Sequence, residues 1–386
     1  MKKLLFLILA CLFVFTSVQA DEFEQFKDNF LGEFDSYKKQ LDEEFENYKR
    51  ILDEELQNYK KEIGAYWSDL KISNNKIFVE YSQDKKSRKI VDYENDRLIV
   101  EVKVDNLSDE TSNISKVQEL VEDTINENLV TAFERDQVSK NVERRLSKKS
   151  NIVVTGDIPK VNVLSPYITQ KTDIEKIKEA IKSSDIKTVE DKGTKILQVE
   201  INLPNKDLKE KVNFVKKYVF NYAGAHRIQP EVIFSIIHNE SYFNPLAKSY
   251  VPAYGLMQIV PRTAGADATK FLFGKEKILA PSYLYNPDNN IKIGAAYFRI
   301  LYYSYLKGIK NPTSRLYCSI AAYNTGSGNV AKAFVGSYNI SAAVNVVNRM
   351  SPDDVYRTLK RSLPYNETKR YLDKVLDKIK VYEAAF

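Results

Sequence analysis

One glutamate stands out because of the residues that precede it. The stretch 231–239 predicts a helix that is apolar on nearly all sides, and Glu240 follows it directly. Burial disfavours the charged form of a carboxyl group, so a glutamate in apolar surroundings keeps its proton close to neutral pH. Such a group can act as a general acid, which the cleavage of a bond between two sugars requires.

Three further patches contain residue types that could line a groove beside this acid. Gly255 permits a tight backbone turn next to Met257 and Gln258, and the amide of Gln258 can both donate and accept hydrogen bonds. Tyr323 and Asn324 place an aromatic ring beside an amide just before a glycine turn. The third patch, residues 365–371, opens the last helix. Each patch alone is a weak signal, but their order and spacing together form a strong one.

The elements that must position these residues are mostly helices. Pro230 favours a helix start, because the first turn does not need its missing N–H. Beyond Pro204 the sequence predicts an all-α domain, residues 204–386. Its further helices are expected near residues 287–305, 314–322, 329–334, 341–350, 352–359 and 367–385.

The preceding region, residues 71–203, has the mixed pattern of a small α+β accessory domain. Alternating apolar residues predict strands at 77–81 and 97–104, with shorter strands at 152–154 and 196–201. A helix is expected over residues 114–146, with a basic end. This region contains no group of residues that suggests catalysis.

An eleven-residue repeat occupies residues 22–67. Its period predicts one long amphipathic helix with an aromatic stripe, assigned to residues 21–70. A period of eleven residues over three turns makes that stripe drift toward a right-handed supercoil. The stripe could pack on its own chain, on a partner helix in self-association, or on a membrane surface.

Residues 1–20 resemble a cleaved export signal. Lys2 and Lys3 precede an apolar run that ends before a small-residue cleavage site at Ala20. The export signal predicts a periplasmic protein, with outer-membrane association also open. A lipid anchor on Cys11 is the alternative, and cleavage would leave Cys318 as the single cysteine, expected as a buried apolar residue.

The composition argues against several classes of function. The net charge of +6 is mild and not clustered, which disfavours nucleic-acid binding. Two histidines, His226 and His238, without paired cysteines fall short of a zinc ligand set, so we expect no metal site. No nucleotide motif is present either, and we expect no cofactor.

In these motifs the chain resembles the lytic murein transglycosylases with a goose-lysozyme-like domain. The likeness covers about residues 70–380 and is closest after Leu208. The matching motifs are Glu240-Ser241, Gly255-Leu256-Met257-Gln258, Ala322-Tyr323-Asn324 and Glu367-Thr368-Lys369-Arg370-Tyr371. The resemblance implies a lysozyme-like fold, so the expected class is α+β multidomain with an all-α catalytic domain at the C-terminal end.

The resemblance also implies a role for each matching residue. Glu240 would be the sole catalytic acid and base. The other residues would contact the saccharide or brace the cleft: Ser241, Ser249, Met257, Gln258, Tyr323, Asn324, Glu367 and Tyr371.

The implied reaction is cleavage of the bond between N-acetylmuramic acid and N-acetylglucosamine in peptidoglycan glycan strands, with a 1,6-anhydromuramoyl product. A lysozyme-type hydrolase, in which water attacks, is the alternative enzyme. A non-catalytic peptidoglycan-binding envelope protein is the alternative of a different class, favoured by the repeats and the basic helix.

Overall fold

The computed structural model describes residues 35–104, 110–147, 152–183, 186–204 and 206–386. The predicted export signal and the first eleven-residue repeat lie outside these residues. The chain divides into two compact units, Met1–Asn47 and Tyr48–Phe386. In the first unit, all described residues are helical.

The second unit opens with helix α1, residues 48–66, which continues the predicted amphipathic pattern. Its apolar stripe is covered by the chain itself. Ile63 and Trp67 are buried in a cluster with Val79, Tyr81, Ile90 and Ile196. The Trp67 indole also donates a hydrogen bond of 2.8 Å to the carbonyl oxygen of Lys85. Packing on its own chain is therefore what the structure shows for this part of the repeat.

The predicted α+β region contains one five-stranded antiparallel sheet of order β1-β2-β3-β6-β5. Helix α2 packs on β3, and helix α5 packs on β6. The elements are β1 (Ile77–Tyr81), β2 (Ser87–Asp92), β3 (Arg97–Val104), α2 (Glu110–Asn126), α5 (Lys171–Ser183), β5 (Lys187–Asp191) and β6 (Thr194–Asn202).

Several features of this region differ from the sequence prediction, which assigned no element to the residues of β2, α5 or β5. Strand β2 was missed because it begins Ser87-Arg88-Lys89, and a polar start does not resemble a buried strand. The single helix expected over residues 114–146 is wrong, because α2 is followed by α3 (Leu129–Arg135) and α4 (Gln137–Ser147). Asn128 starts α3, where its side chain accepts hydrogen bonds from the backbone N–H groups of Val130 and Thr131.

The predicted short strand at residues 152–154 pairs with a partner far along the chain. Strand β4 (Val153–Val154) runs parallel to β7 (Ile278–Leu279), which lies among the C-terminal helices. The C-terminal region is therefore helical with one two-residue strand.

From Leu208 onward the structure is built from eleven helices and two π-helical turns, at Pro261–Gly265 and Leu301–Tyr305. The helices are α6 (Leu208–Lys211), α7 (Asn213–His226), α8 (Pro230–Ser241), α9 (Ala266–Phe273), α10 (Pro281–Leu284), α11 (Pro287–Ile300), α12 (Pro312–Thr325), α13 (Ser327–Val335), α14 (Ile340–Val347), α15 (Pro352–Ser362) and α16 (Asn366–Ala385). The α+β multidomain class predicted from the sequence is confirmed.

Among the described residues no helix is long and apolar enough to cross a membrane. Cys318 is buried on α12 as a free thiol, and burial raises its pKa.

Candidate active site

Helix α8 carries Glu240 at its last turn. Its apolar residues are almost fully buried, including Ile233, Ile236 and Ile237 at 0 % exposure. The helix ends because Tyr242 and Phe243 adopt left-handed backbone conformations, with φ of 51° and 66°. The buried helix therefore fixes the backbone of Glu240. The chain turns out of the helix directly after Ser241.

The Glu240 carboxyl has the raised pKa that its sequence position predicts. Burial raises the pKa of Glu240 from 4.5 to about 7. The nearby Tyr371 hydroxyl lowers this pKa, and the negative charge of Glu367 raises it further, both by less than burial does. At neutral pH the group is poised between its acid and base forms, as a catalyst that must both give and take a proton requires.

Helix α16 brings Tyr371 and Glu367 to this carboxyl. Tyr371 is 5 % exposed, and its hydroxyl has no hydrogen-bond partner within normal distance. Burial and the charge of Glu240 hold the pKa of Tyr371 well above its usual range, so its hydroxyl stays a donor. Glu367 is exposed at the first turn of α16.

The same helix also braces α8 one turn before Glu240. Tyr382 stacks on Phe234 with ring centroids 5.3 Å apart, and its hydroxyl lies 2.9 Å from Nδ1 of His238. Burial, followed by the charges of Lys378 and Lys211, lowers the pKa of His238 to about 3. His238 is therefore neutral and structural.

One buried side-chain amide, that of Asn290, holds the glycine loop in place. The Asn290 side chain donates to the carbonyl oxygens of Tyr254 and Leu284 and accepts from the N–H of Met257, all at 2.8 Å. Gly255 has a φ of +72°, and a Cβ there would lie 2.3 Å from the Leu284 oxygen. The loop therefore needs glycine at this position.

Ser241 and Met257 do not occupy the substrate-facing positions that the resemblance implied. The Ser241 side chain is fully buried, and its hydroxyl bonds to the carbonyl oxygens of Ile237 and Leu256 at 3.0 and 2.9 Å. Met257 is also fully buried, and its sulfur packs so closely on Gly294 that a Cβ there would lie 2.3 Å from it. Neither side chain reaches the surface. Through the contacts just given, both hold the glycine loop to the helices.

Gln258 and Tyr323 lie at the partly exposed side of the same loop. Gln258 has a φ of 47°, and its amide donates to the carbonyl oxygen of Gly255 at 3.1 Å. The Tyr323 hydroxyl donates to the carbonyl oxygen of Met257 at 2.9 Å. Burial, followed by the charge of Glu240, raises the pKa of Tyr323 well above its usual range.

Asn324 follows on α12 and is exposed. Its amide oxygen accepts a hydrogen bond of 2.7 Å from the buried hydroxyl of Thr368 on α16. This bond joins the second and third sequence patches.

Ser249 is half-buried. It lines a pocket together with residues of the α+β region such as Ser73 and Glu80. The charge of Glu240 thus acts on Tyr323 and Tyr371, and that of Glu367 acts on Glu240. Ser249 lies at the boundary with the sheet.

Sequence reasoning also missed a carboxylate cluster near the sheet. Oxygens of Glu80, Asp123 and Glu127 lie within 4.8 Å of one another, as metal ligands would. However, the buried ammonium of Lys89 sits among them, 3.1, 2.6 and 2.6 Å away. Since a lysine supplies the positive charge, the cluster is an internal ion-pair network.

The region that contains Glu240 is similar to a known protein family. Residues 217–345 match the family model of the transglycosylase SLT domain. The matched range contains Glu240, Gln258, Tyr323 and Asn324, whereas Glu367 and Tyr371 lie beyond it. The resemblance to lytic murein transglycosylases is therefore confirmed for the C-terminal region.

Curated relatives extend this match. The chain is 42% identical over 180 residues to the membrane-bound lytic murein transglycosylase C of Pectobacterium atrosepticum, covering 47% of this chain and 50% of the relative. The protein of the same name from Yersinia pestis is 42% identical over 177 residues, covering 46% of this chain and 49% of the relative. The chain spans about half the length of the curated relatives it matches.

Two solved structures also match. A lytic transglycosylase Slt of Pseudomonas aeruginosa is 27% identical with a TM-score of 0.35, over 46% of this chain and 25% of that chain. The 70 kDa soluble lytic transglycosylase of Escherichia coli is 18% identical with a TM-score of 0.34, over 71% of this chain and 44% of that chain.

Proposed function

We propose that the protein is a lytic transglycosylase that cleaves peptidoglycan glycan strands between N-acetylmuramic acid and N-acetylglucosamine. The observation that carries the proposal is the Glu240 carboxyl, whose pKa burial raises to about 7 within a domain that matches the SLT family model. The relatives named above act on murein, as their names state.

A single carboxyl can carry the reaction if the substrate supplies the nucleophile. Protonated Glu240 donates its proton to the glycosidic oxygen, and the bond from that oxygen to C1 of the muramoyl residue breaks. The resulting carboxylate takes the proton of the muramoyl C6 hydroxyl, whose oxygen bonds to C1. The product has a 1,6-anhydro ring, and Glu240 regains its proton without consuming water.

The surrounding residues suit these two steps. The hydroxyl group of Tyr371 remains protonated, so it can donate a hydrogen bond to the transient Glu240 carboxylate, whereas the Tyr323 hydroxyl already donates to Met257. Such a bond would stabilise the carboxylate after it has given up its proton. Ser249, Gln258 and Asn324 are proposed as saccharide contacts, because all three are at least partly exposed.

Hydrolysis remains the second candidate because a second carboxyl, Glu367, is electrostatically coupled to Glu240. In a hydrolase that carboxyl would activate water, which would then attack C1. The two reactions leave different sugar ends, a 1,6-anhydro ring or a reducing end.

The experiment is digestion of purified sacculi in water enriched in heavy oxygen, followed by mass spectrometry of the released fragments. Transglycosylation gives anhydro ends without label, because the new bond uses the C6 oxygen of the sugar. Labelled reducing ends would instead establish hydrolysis. The Glu240→Gln variant should bind sacculi in a sedimentation assay and release neither product, while Glu231→Gln, at the first turn of the same helix, should behave as wild type.

We also propose that the protein acts in the periplasm after removal of residues 1–20, with a peripheral attachment to the outer membrane. Cleavage before Cys11 with a lipid anchor on that cysteine is the alternative. The support is the sequence pattern of residues 1–20 and the names of the membrane-bound relatives. N-terminal sequencing and mass measurement of the exported protein would show either cleavage after Ala20 or a lipid on Cys11.

A further inference from the structure

The last carbonyl groups of α8 have no partner within the helix, as at every helix end. Two of them find partners close by in sequence. The carbonyl oxygen of His238 accepts from the N–H of Tyr242 at 3.1 Å, and that of Ser241 from the N–H of Asn244 at 2.9 Å. The carbonyl of Glu240 is different, because it accepts a 2.7 Å hydrogen bond from the side-chain amide of Asn75, 165 residues earlier.

Asn75 is presented from a stiff loop that leads into β1. The side-chain oxygen of Asn74 accepts hydrogen bonds from the N–H groups of Lys76 and Ile77 at 2.8 and 2.9 Å. The N–H of Asn74 donates to the carbonyl oxygen of Ile77 at 2.8 Å. These three bonds close a compact turn, so the Asn75 amide is held by the sheet.

Further contacts join the same loop to the segment after Glu240. The fully buried Asn244 directs its side-chain amide to the carbonyl oxygens of Asn74 and Asn75, each 3.5 Å away. The Lys76 ammonium pairs with Glu94 at 2.6 Å and lies 4.9 Å from the centre of the Tyr242 ring. The bond to the Glu240 carbonyl thus belongs to a rigid junction.

The position of this bond matters for the carboxyl. The peptide group that follows Glu240 leads into two non-glycine residues with positive φ, Tyr242 and Phe243, a backbone path that is held only by its surroundings. Fixing the Glu240 carbonyl fixes that peptide group and therefore the direction of the side chain. A displacement of about 1 Å at a reacting group can reduce the rate about a hundredfold.

We propose that Asn75, a residue of the α+β region, is a positioning residue for Glu240. Through this bond the sheet sets the orientation of the catalytic carboxyl, so the α+β region takes part in the reaction without touching the substrate. This inference rests on the proposed function of Glu240.

The test variant is Asn75→Leu, which keeps a similar side-chain volume and removes the donor. With soluble, uncrosslinked glycan strands as substrate, kcat should fall about tenfold or more while KM stays within about twofold. The bond holds the carboxyl and contributes nothing to substrate binding, which is why kcat alone should change.

The matched control is Lys248→Met. It removes the 2.7 Å ion pair between Lys248 and Asp136, which joins the same two regions away from the Glu240 carbonyl. The control should lose thermal stability to a similar extent and keep its kcat. An equal loss of kcat in both variants, or a loss confined to KM, would overturn the positioning role.

A second readout does not depend on turnover. The Glu240 carboxyl is titrated by carbon-13 NMR in wild type and Asn75→Leu, with Glu240→Gln to assign the signal. A carboxyl that is no longer held gains water, so its midpoint should fall by about half a pH unit or more. If wild type releases no anhydro product, the proposed function fails, yet this titration still decides the role of Asn75, since an unchanged midpoint contradicts it.

Discussion

Two carboxyl groups among the described residues show a large rise in pKa, Glu240 at the end of α8 and Glu127 between α2 and α3. Burial is the largest cause of the rise in both pKa values. In both, a second glutamate adds to the rise, Glu367 beside Glu240 and Glu80 beside Glu127. By pKa alone the two sites would be equally good candidates for an acid catalyst.

Their neighbours separate them. The Glu127 carboxyl lies 2.6 Å from the Lys89 ammonium and 3.2 Å from the Arg135 guanidinium. Three carboxylates hold the pKa of Lys89 above its ordinary value although burial opposes its charge. Around Glu240 the groups that shift its pKa are a tyrosine and a glutamate.

The difference shows what a raised pKa means at each site. Lysine, arginine and other carboxylates surround Glu127, so they would balance the charge when Glu127 gains or loses its proton. No cation is among the groups of the described residues that shift the pKa of Glu240, and the Glu240 side chain is only partly buried, so a substrate oxygen could reach its proton. The raised pKa and these neighbours therefore favour Glu240 over Glu127 as the proposed catalytic carboxyl.

The largest expected effect separates the two carboxyls directly. Glu240→Gln should lower the release of anhydro fragments about a hundredfold to ten-thousandfold, the usual contribution of an acid–base group. Glu127→Gln should retain activity within about threefold. Product release is measured by chromatography at matched concentrations of folded protein. A comparable loss in both variants would remove the distinction between the sites.

Lys89→Met should act on stability alone. The lysine is 2% exposed and its three carboxylate partners would be left without their central cation. Breaking a buried pair in this way costs about 3–5 kcal/mol in the free energy of unfolding. Denaturant titration measures that loss, while kcat well below the unfolding temperature should be unchanged. Unaltered stability would mean that the network does not hold the sheet to α2.

Glu240 should also make stability depend on pH. Its pKa is raised from 4.5 to about 7 on folding, so the folded state binds the proton more tightly than the unfolded state. The stabilisation is complete below about pH 4.5 and is lost as the pH rises through about 7. Glu240→Gln cannot ionise, so its unfolding temperature relative to wild type should be higher at about pH 8 than at about pH 5. The same difference at both pH values would contradict the shift.

The smallest expected effects are two opposite shifts of the pH–rate profile. The Tyr371 hydroxyl lowers the pKa of Glu240 and the charge of Glu367 raises it. Tyr371→Phe should therefore move the basic limb to higher pH, and Glu367→Gln should move it to lower pH, each by less than about one pH unit. Shifts in the same direction would show that another group controls that limb.

Local sequence was sufficient for Glu240 and for most helices. The apolar run before Glu240 predicts both the buried helix and the raised pKa, and prolines or asparagines mark the helix starts at Pro230, Asn286 and Asn311. These features depend on residues within a few positions of each other, so their pattern is visible in the sequence.

Features that depend on distant partners were not predictable. Arg88 and Lys89 make the start of β2 look exposed, whereas a carboxylate 34 residues later, Asp123, helps to bury Lys89. Positions 241 and 257 have the residue types that the resemblance implies. The direction of their side chains, however, depends on contacts with α11 and the glycine loop. The contact of Asn75 with Glu240 has no local signal at all.

The central claim is that Glu240 keeps its proton up to about neutral pH in the free protein. The most direct measurement is the carbon-13 NMR titration of its carboxyl, assigned by the signal that disappears in Glu240→Gln. A midpoint of about 7 is the predicted result. A midpoint at or below the ordinary value of 4.5 would contradict the account, because the carboxyl would then have no proton to give.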